Sequence, residues 1–465
     1  MCGIFGVFNS ERAAVYTHAG LFALQHRGRE GAGIAIYNGE KIKVDKHLGL
    51  VQEIWPDEKS LEGLEGKIAI GGNRYSTVRD EYGPECTQPF NFTLEDDREI
   101  ATVHNGNITN YEFLRAELQA KKAVFTTKID SEIFGFLINH AEGDTIQGKI
   151  KNSFSEIVGA YSVIIMRDDE LIGVRDPWGF RPLEVAKIDS AYVLASETCA
   201  FDILREEKEA DVEELGPVEP GGIVTINKTG IKYDSLPNTT KLAPCIFEYV
   251  YFSRPDSRTE GVDVDKIRKG FGRTLAKEHP APGAEVVVSV PDSGNSAAIG
   301  YSQESGIPYD IGIIRNHHTG RTFILNTNIA RKKGVARKFN PVKSIVQGKS
   351  LVVVDDSIVR GNTSKGVAEM LWGAGARELH WRVSSPPIIN PCFYGIDMKT
   401  NEELLVNSLS IKDVSNIDEL QQIAAHLGVN SIGYLSPKGM MEAVPGKSYC
   451  RACFQDGSYP TPLQF

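Results

Sequence analysis

The sequence predicts two domains in tandem: an α+β layered domain, then an α/β domain built on a parallel sheet. Three observations carry this prediction. The first half is rich in short strand-like runs that end at Gly and Asn, and the second half has near-continuous apolar runs that each lead through a polar loop into a helical pattern. The 465 residues also exceed what one hydrophobic core accommodates.

In the first half, residues 67–71, 101–104, 161–166 and 191–195 are dominated by β-branched and aromatic side chains and bounded by turn formers, which predicts strands. Residues 130–140 start with an acid and place Ile133, Phe136 and Leu137 at helical spacing. The polar, turn-rich segment 234–240 (DSLPNTT) marks the boundary, giving domains at residues 2–235 and 245–465. Beyond it, residues 286–290 (VVVSV) and 351–354 (LVVV) read as strands buried on both faces. Helical patterns at 295–302 and 364–372 follow them, as in a doubly wound fold.

Composition narrows the function. The chain is 41% hydrophobic and 24% charged, an ordinary globular balance. Its 51 basic and 61 acidic residues leave a net charge of −10, which argues against a nucleic-acid partner. No basic leader followed by an apolar run opens the sequence, and no stretch approaches the ~18 apolar residues of a membrane helix. A cytoplasmic protein without a membrane partner is expected. Its seven cysteines, an odd number spread over a long chain, suggest metal or catalytic use rather than a disulfide framework.

Cys2 follows the initiator Met, and a small second residue permits Met removal. A mature N-terminal Cys carries a thiol and a free α-amine on one residue. Their ordinary pKa values, ~8.5 and ~8, let the amine serve as base for its own thiol. Position alone favours a small buried hydrophobe. The stretch 104–107 (HNGN) adds what amide chemistry needs, a carboxamide at Asn105 and an unshielded N–H at Gly106 to receive a tetrahedral oxyanion. The same four residues read as a β-turn after a strand. Arg74 and Asp130 have the charges to pair with the zwitterionic end of glutamine.

Six strings now carry a resemblance: MCGIFGVF, LQHRGREGAGIAIY from Leu24, RYST from Arg74, HNGNITNY from His104, RDPWGFRPL from Arg175 and ASETCAFD from Ala195. Together the first ~200 residues resemble the class II, N-terminal-nucleophile (Ntn) glutamine amidotransferases. The resemblance implies a four-layer αββα Ntn-hydrolase domain with Cys2 as nucleophile and Asn105 and Gly106 as oxyanion hole. It assigns glutamine to Arg74 and Asp130, with Arg27 supporting the nucleophile loop.

In the second half, VVVDDSIVRGNTS at 352–364 delivers two adjacent carboxylates from a buried strand into a loop that opens a helix. Helix-start N–H groups and hydroxyls bind anions, while Asp355 and Asp356 suit ribose hydroxyls and a hydrated Mg²⁺. Turn-forming Asp and Ser in a capped helix start explain the string less well, because two carboxylates behind four apolar residues are costly to bury unpartnered. A second anion loop, 290–296, follows the other strand. The string resembles the phosphoribosyl pyrophosphate signature of type I phosphoribosyltransferases. That resemblance assigns the ligand to Asp355, Asp356, Ser357, Arg360, Gly361, Asn362, Thr363 and Ser364, and the metal to Ser293, Asp355 and Asp356. Between the two loops lies a basic stretch from Arg315 to Lys338 that includes Arg321 and Lys333; its position suggests a lid over phosphates rather than a solvated charge run.

The order of motifs resembles the glutamine phosphoribosylpyrophosphate amidotransferase family nearly end to end. This implies hydrolysis of glutamine at Cys2 and transfer of the ammonia to C1 of 5-phosphoribosyl 1-pyrophosphate. The products would be 5-phosphoribosylamine, glutamate and pyrophosphate, in the first step of purine synthesis. It also implies inhibition by purine nucleotides and a homo-oligomer, tetramer or dimer. Gly72, Asn73, Arg79 and His317–His318 depart from the family pattern, and of these Gly72, Arg79 and His317–His318 support a second reading, a paralogue with weak or altered amidotransfer that serves as a sensor or in a specialised pathway.

Four cysteines remain: Cys245, Cys392, Cys450 and Cys453. Spacing alone leaves zinc, an iron–sulfur cluster, a redox pair or plain buried thiols open. The family resemblance, through PCIF at 244–247, PCFYG at 391–395 and CRACF at 450–454, implies a 4Fe-4S cluster on all four. Cys86 and Cys199 read as buried structural thiols.

Overall fold

The computed structural model describes residues 1–75, 83–208, 210–237, 242–317, 338–446, 448–455 and 457–463. The first half holds two antiparallel sheets. One has seven strands, in the order Val212–Pro217, Glu184–Ile188, Ala191–Ala195, Gly3–Phe8, Ile68–Arg74, Gly31–Tyr37 and Ile42–Leu48. The other has six, in the order Gly230–Ser235, Gly222–Asn227, Glu170–Arg175, Gly159–Met166, Glu99–Ile108 and Phe90–Thr93.

Side-chain alternation along the strands builds the layers. On Gly3–Phe8, Phe5 and Val7 join the apolar cluster beneath helices Ala13–Ala23 and Cys199–Lys208. Ile4 and Phe8 face the other way, into a cluster between the two sheets. On Gly159–Met166, Ile164 and Met166 meet them there, whereas Tyr161, Val163 and Ile165 pack under helices Tyr111–Ala120, Ile133–His140 and Ile146–Phe154. Three parallel cores separated by two sheets make the four-layer αββα arrangement. Each such buried side chain contributes roughly 1.5–3 kcal/mol relative to exposure.

The second half holds a four-stranded parallel sheet in the order Val286–Ser289, Ser350–Asp355, Glu378–Val383 and Ser431–Tyr434. The same alternation operates here with apolar residues on both faces. Val287, Val352 and Val354 pack on helices Val264–Glu278 and Asn295–Ser305. Val286, Val288, Leu351 and Val353 pack on helices Asn362–Gly373 and Ile417–Leu427. A π-helical turn, Glu248–Phe252, joins the halves. The C-terminal tail returns to this junction: Cys450 N donates to Pro244 O at 2.9 Å, and Phe454 stacks on Phe247.

Two local expectations change. Residues 104–107 are not a turn; they lie inside strand Glu99–Ile108, because their backbone stays paired with Gly159–Met166 as far as Ile108. The helix expected over 130–140 opens with a tight turn, Asp130–Glu132, before its α portion Ile133–His140. Residues 238–240 of the boundary segment and most of the basic stretch, including His318, Arg321 and Lys333, lie outside the described residues, as does Arg79. Among the described residues no helix is long and apolar enough to cross a membrane.

Candidate functional site

Strand alternation gathers the first site. Cys2 shares the face of Ile4 and Phe8, Arg74 that of Ile68 and Ile70, and Asn105 that of Ala101 and Val103; all these apolar residues belong to the cluster between the sheets. Cys2 and Arg74 thus line one pocket where the sandwich opens, together with Met1, Gln88, Gly106 and Asp130, and the buried Asn105 adjoins it at Cys2. The Cys2 N–H donates to Asn105 Oδ1 at 3.1 Å. Asn105 is fully buried and its Nδ2 has no hydrogen-bond partner, an unspent donor next to the thiol. Gly106 is glycine by necessity, since a Cβ there would lie 1.9 Å from Ala160 O.

Gln88 and His104 fix the floor. Gln88 Nε2 donates to His104 O at 2.8 Å and lies 3.8 Å from Cys2 Sγ, while its Oε1 accepts from His104 N. His104 Nδ1 is 2.9 Å from Ser131 Oγ, and burial pushes the ring's pKa down. Asp130 accepts from Ile108 N at 3.1 Å. Burial also raises the Cys2 thiol, so the nucleophile needs a base. The Met1 α-amine in the same pocket is pushed down to about 5 by burial.

Arg27 lies behind the pocket with no exposed side-chain surface. It pairs with Glu197 through Nε and with Glu248 through Nη2 at 2.6 Å. Glu248 also accepts from Arg181 Nη1 at 3.1 Å and Ser253 Oγ at 3.1 Å. Burial works against the Glu197 carboxylate, but His26 and Arg27 prevail and hold its pKa well below the usual range. Sequence reading missed Gln88, Ser131, Glu197 and Glu248; of these Glu197 sits inside the string from Ala195 and Glu248 inside CIFEYVYFSRPDS from Cys245.

The second site forms at the carboxyl end of Ser350–Asp355. Ser293 Oγ donates to Asp356 Oδ1 at 2.5 Å, which joins the two anion loops. Ser357 Oγ donates to Asp356 Oδ2 at 2.6 Å, and Ser364 Oγ to Asp355 Oδ2 at 3.4 Å. The helix Asn362–Gly373 starts at Gly361 without a side-chain cap, and Asn362 and Thr363 are exposed at its start. Arg360 turns away from the loop to Glu403, its Nε at 2.8 Å, and Arg315 pairs with Asp292 at 2.6 Å. Burial and the neighbouring Asp356 raise Asp355 well above the carboxylate range, and burial raises Asp356 as well. Two buried carboxylates that accept hydrogen bonds from hydroxyls and one N–H suit Mg²⁺, which takes one or two protein carboxylates and completes its shell with water and phosphate.

Cys245, Cys450 and Cys453 are buried, Cys392 is partly so, and none is in a disulfide. Cys245 pairs with Cys450 as a single parallel bridge, and all four thiols lie within electrostatic reach of one another. Among the described residues no three His, Cys, Asp or Glu stand close enough to share one ion. The set supplies the all-thiolate donor chemistry that an iron–sulfur cluster takes. Cys86 is buried and lines the Cys2 pocket; Cys199 is buried beside Glu197. Of the departures, Asn73 is buried with Nδ2 on Leu21 O at 2.7 Å, and Gly72 adjoins Gln88 and Val103.

Residues 74–202 match the glutamine amidotransferase domain family. The amidophosphoribosyltransferase of Methanocaldococcus jannaschii is 44% identical, over 100% of this chain and 98% of the relative. That of Bacillus subtilis is 42% identical over 99% of this chain and 94% of its own. Two solved structures align over all of this chain at 41% identity. One is the B. subtilis glutamine phosphoribosylpyrophosphate amidotransferase complexed with ADP and GMP, with a TM-score of 0.89 and 98% of that chain covered. The other is described as the allosteric regulatory enzyme of purine biosynthesis, with a TM-score of 0.90 and 97% of that chain covered.

Proposed function

The chain belongs to the amidophosphoribosyltransferases, and from that premise we propose how its residues carry the reaction. The enzyme takes ammonia from glutamine and transfers it to C1 of phosphoribosyl pyrophosphate, releasing glutamate, pyrophosphate and 5-phosphoribosylamine for purine synthesis. The observation that carries the site assignment is the buried Asn105 carboxamide, whose Oδ1 holds the Cys2 backbone while its Nδ2 is unspent beside the thiol.

Removal of Met1 frees the Cys2 α-amine, which takes the thiol proton. The thiolate attacks the side-chain amide carbon of glutamine, and Asn105 Nδ2 and Gly106 N–H receive the oxyanion. The Cys2 ammonium gives that proton to the nitrogen, which leaves as ammonia, and water then cleaves the thioester to glutamate and the free thiol. Arg74 pairs with the α-carboxylate of glutamine and Asp130 with its α-ammonium, which fixes the amide against Cys2. Arg27, clamped by Glu197 and Glu248, holds the chain behind the nucleophile.

At the second site Asp355 and Asp356 receive the ribose hydroxyls, and Ser357, Gly361, Asn362, Thr363 and Ser364 offer N–H and hydroxyl donors to the 5-phosphate. Asp355, Asp356 and Ser293 would hold Mg²⁺, which supplies charge neutralisation for the departing pyrophosphate. Arg315, Arg321 and Lys333 are assigned to a lid on their sequence positions. Arg360, bound to Glu403, supports the loop from outside. Cys245, Cys392, Cys450 and Cys453 would hold a 4Fe-4S cluster, which supplies a structural tie between tail and domain junction. Purine nucleotides as inhibitors are supported by the ADP and GMP of the B. subtilis complex; the homo-oligomer, the cytoplasmic location and the boundary between 235 and 245 rest on the sequence reading.

Glutamate and pyrophosphate release in wild type and Cys2→Ala tests this assignment. Cys2→Ala should lose glutamine-dependent turnover and keep ammonia-dependent pyrophosphate release. Glutamine hydrolysis that survives in Cys2→Ala would sink it.

A further inference from the structure

The strand that carries the oxyanion donors is gripped by the second domain. Asn107 Nδ2 donates to Phe393 O at 2.9 Å. Arg181 Nε donates to Tyr394 O at 3.2 Å, and its Nη2 donates to the same oxygen. Gly395 has φ 103°, and a Cβ on it would lie 2.9 Å from Gly106 O and 3.1 Å from Gly106 C. Phe393 and Gly395 are therefore seated on Asn107 and Gly106, more than 280 positions earlier in the chain, with Tyr394 between them held by Arg181.

The grip falls where the strand is least supported by its own sheet. Pairing with Phe90–Thr93 ends at Thr102, so residues 105–107 have a strand neighbour, Gly159–Met166, on one edge alone among the described residues. Gly106 is bounded by Ala160 O on that side and by Gly395 on the other. The first domain supplies one wall and the second domain the other.

We propose that the loop 393–395 positions the oxyanion hole, with Asn107 and Gly395 as positioning residues for acyl transfer at Cys2. The inference rests on the assignment of Cys2, Asn105 and Gly106 given above. An oxyanion donor acts only at hydrogen-bond distance from where the negative charge forms, and a displacement of ~1 Å costs on the order of 10²-fold in rate. A Cβ at position 395 must displace itself or the Gly106 peptide. Loss of the Asn107 carboxamide removes the tether two residues from Asn105. In this arrangement the first domain alone does not hold a finished acyl-transfer site.

The test uses the full chain with Gly395→Ala and, as a milder probe, Asn107→Ala. Glutamine hydrolysis should fall roughly 10- to 100-fold in kcat, with KM for glutamine changed less than about 3-fold. An aldehyde analogue of glutamine forms a tetrahedral adduct with the thiol and needs the same donors, so its affinity should fall in step with kcat. Alkylation of Cys2 by iodoacetamide, which needs no oxyanion hole, should proceed at the wild-type rate, and ammonia-dependent turnover should be unchanged. Wild-type kcat and aldehyde affinity in both variants would overturn the proposal. So would a fall in kcat matched by equal losses in alkylation and ammonia-dependent turnover, since that reports general loss of packing. If wild type itself neither hydrolyses glutamine nor binds the aldehyde, the Cys2 assignment fails first and the positioning claim falls with it.

Discussion

At the scale of single residues, the site works by burying charge in pairs. Arg27 has one carboxylate on each side, and removing either leaves a cation in the interior. Glu197→Gln should destabilise the protein by about 3–5 kcal/mol at pH 7, read by urea unfolding. The sign with pH follows from the lowered pKa. Because Glu197 holds its proton less tightly folded than unfolded, its stabilisation is fully present above the ordinary Glu value of ~4.3. It is lost as pH falls below that value. The gap between wild type and variant should therefore persist from pH 8 to about 5 and narrow in more acidic solution. Asp130 belongs to the same scale. Asp130→Asn should raise KM for glutamine by roughly 30- to 100-fold, the worth of one charged hydrogen bond, with Cys2 alkylation unchanged. An unchanged KM in steady-state assays would remove Asp130 from the glutamine site.

At the scale of elements, the strand Ser350–Asp355 ends in two carboxylates that the fold itself disfavours. Both hold their protons more tightly folded than unfolded, so metal-free protein should lose stability as pH rises above ~3.9. Mg²⁺ selects the ionised form, and its stabilising effect should grow with pH. Thermal unfolding with and without Mg²⁺ from pH 5 to 8 checks this. Asp356→Asn should raise the melting temperature of the metal-free protein yet lower pyrophosphate release by at least about 10²-fold, the trade of stability for function expected at a strained site. A variant both less stable and fully active would contradict that account.

At the scale of the whole molecule, the junction is held by Arg27–Glu248–Arg181, and the C-terminal tail returns to it with Cys450 and Cys453. Cys245 and Cys450 are brought together from about two hundred positions apart. Cys453→Ser should abolish the visible absorption expected of a cluster and lower the melting temperature by about 5–10 °C, judged from the entropy of closing so long a loop. The tail should then become protease-sensitive. A variant with unaltered spectrum and melting curve would remove Cys453 from any cluster.

Much of this was legible in the sequence because the relevant information is local. Period-2 alternation and continuous apolar runs determined the two kinds of sheet, and the strings around Cys2 and Asp355–Asp356 determined the chemistry, since reactive groups must stand in fixed local geometry. Even so, HNGN reads locally as a turn, and pairing with a distant strand overrode that tendency. Gln88, Glu197 and Glu248 could not be found from spacing, because what makes them functional is contact across 86 to 221 positions. Arg360 sits inside the phosphoribosyl string but spends its charge on Glu403, a partner that no motif names. The sequence by itself determined which atoms are available to react. Tertiary structure decided which of them face one gap between the sheets, and it set residues 393–395 against Gly106, because burial and steric exclusion act between segments that the chain keeps far apart.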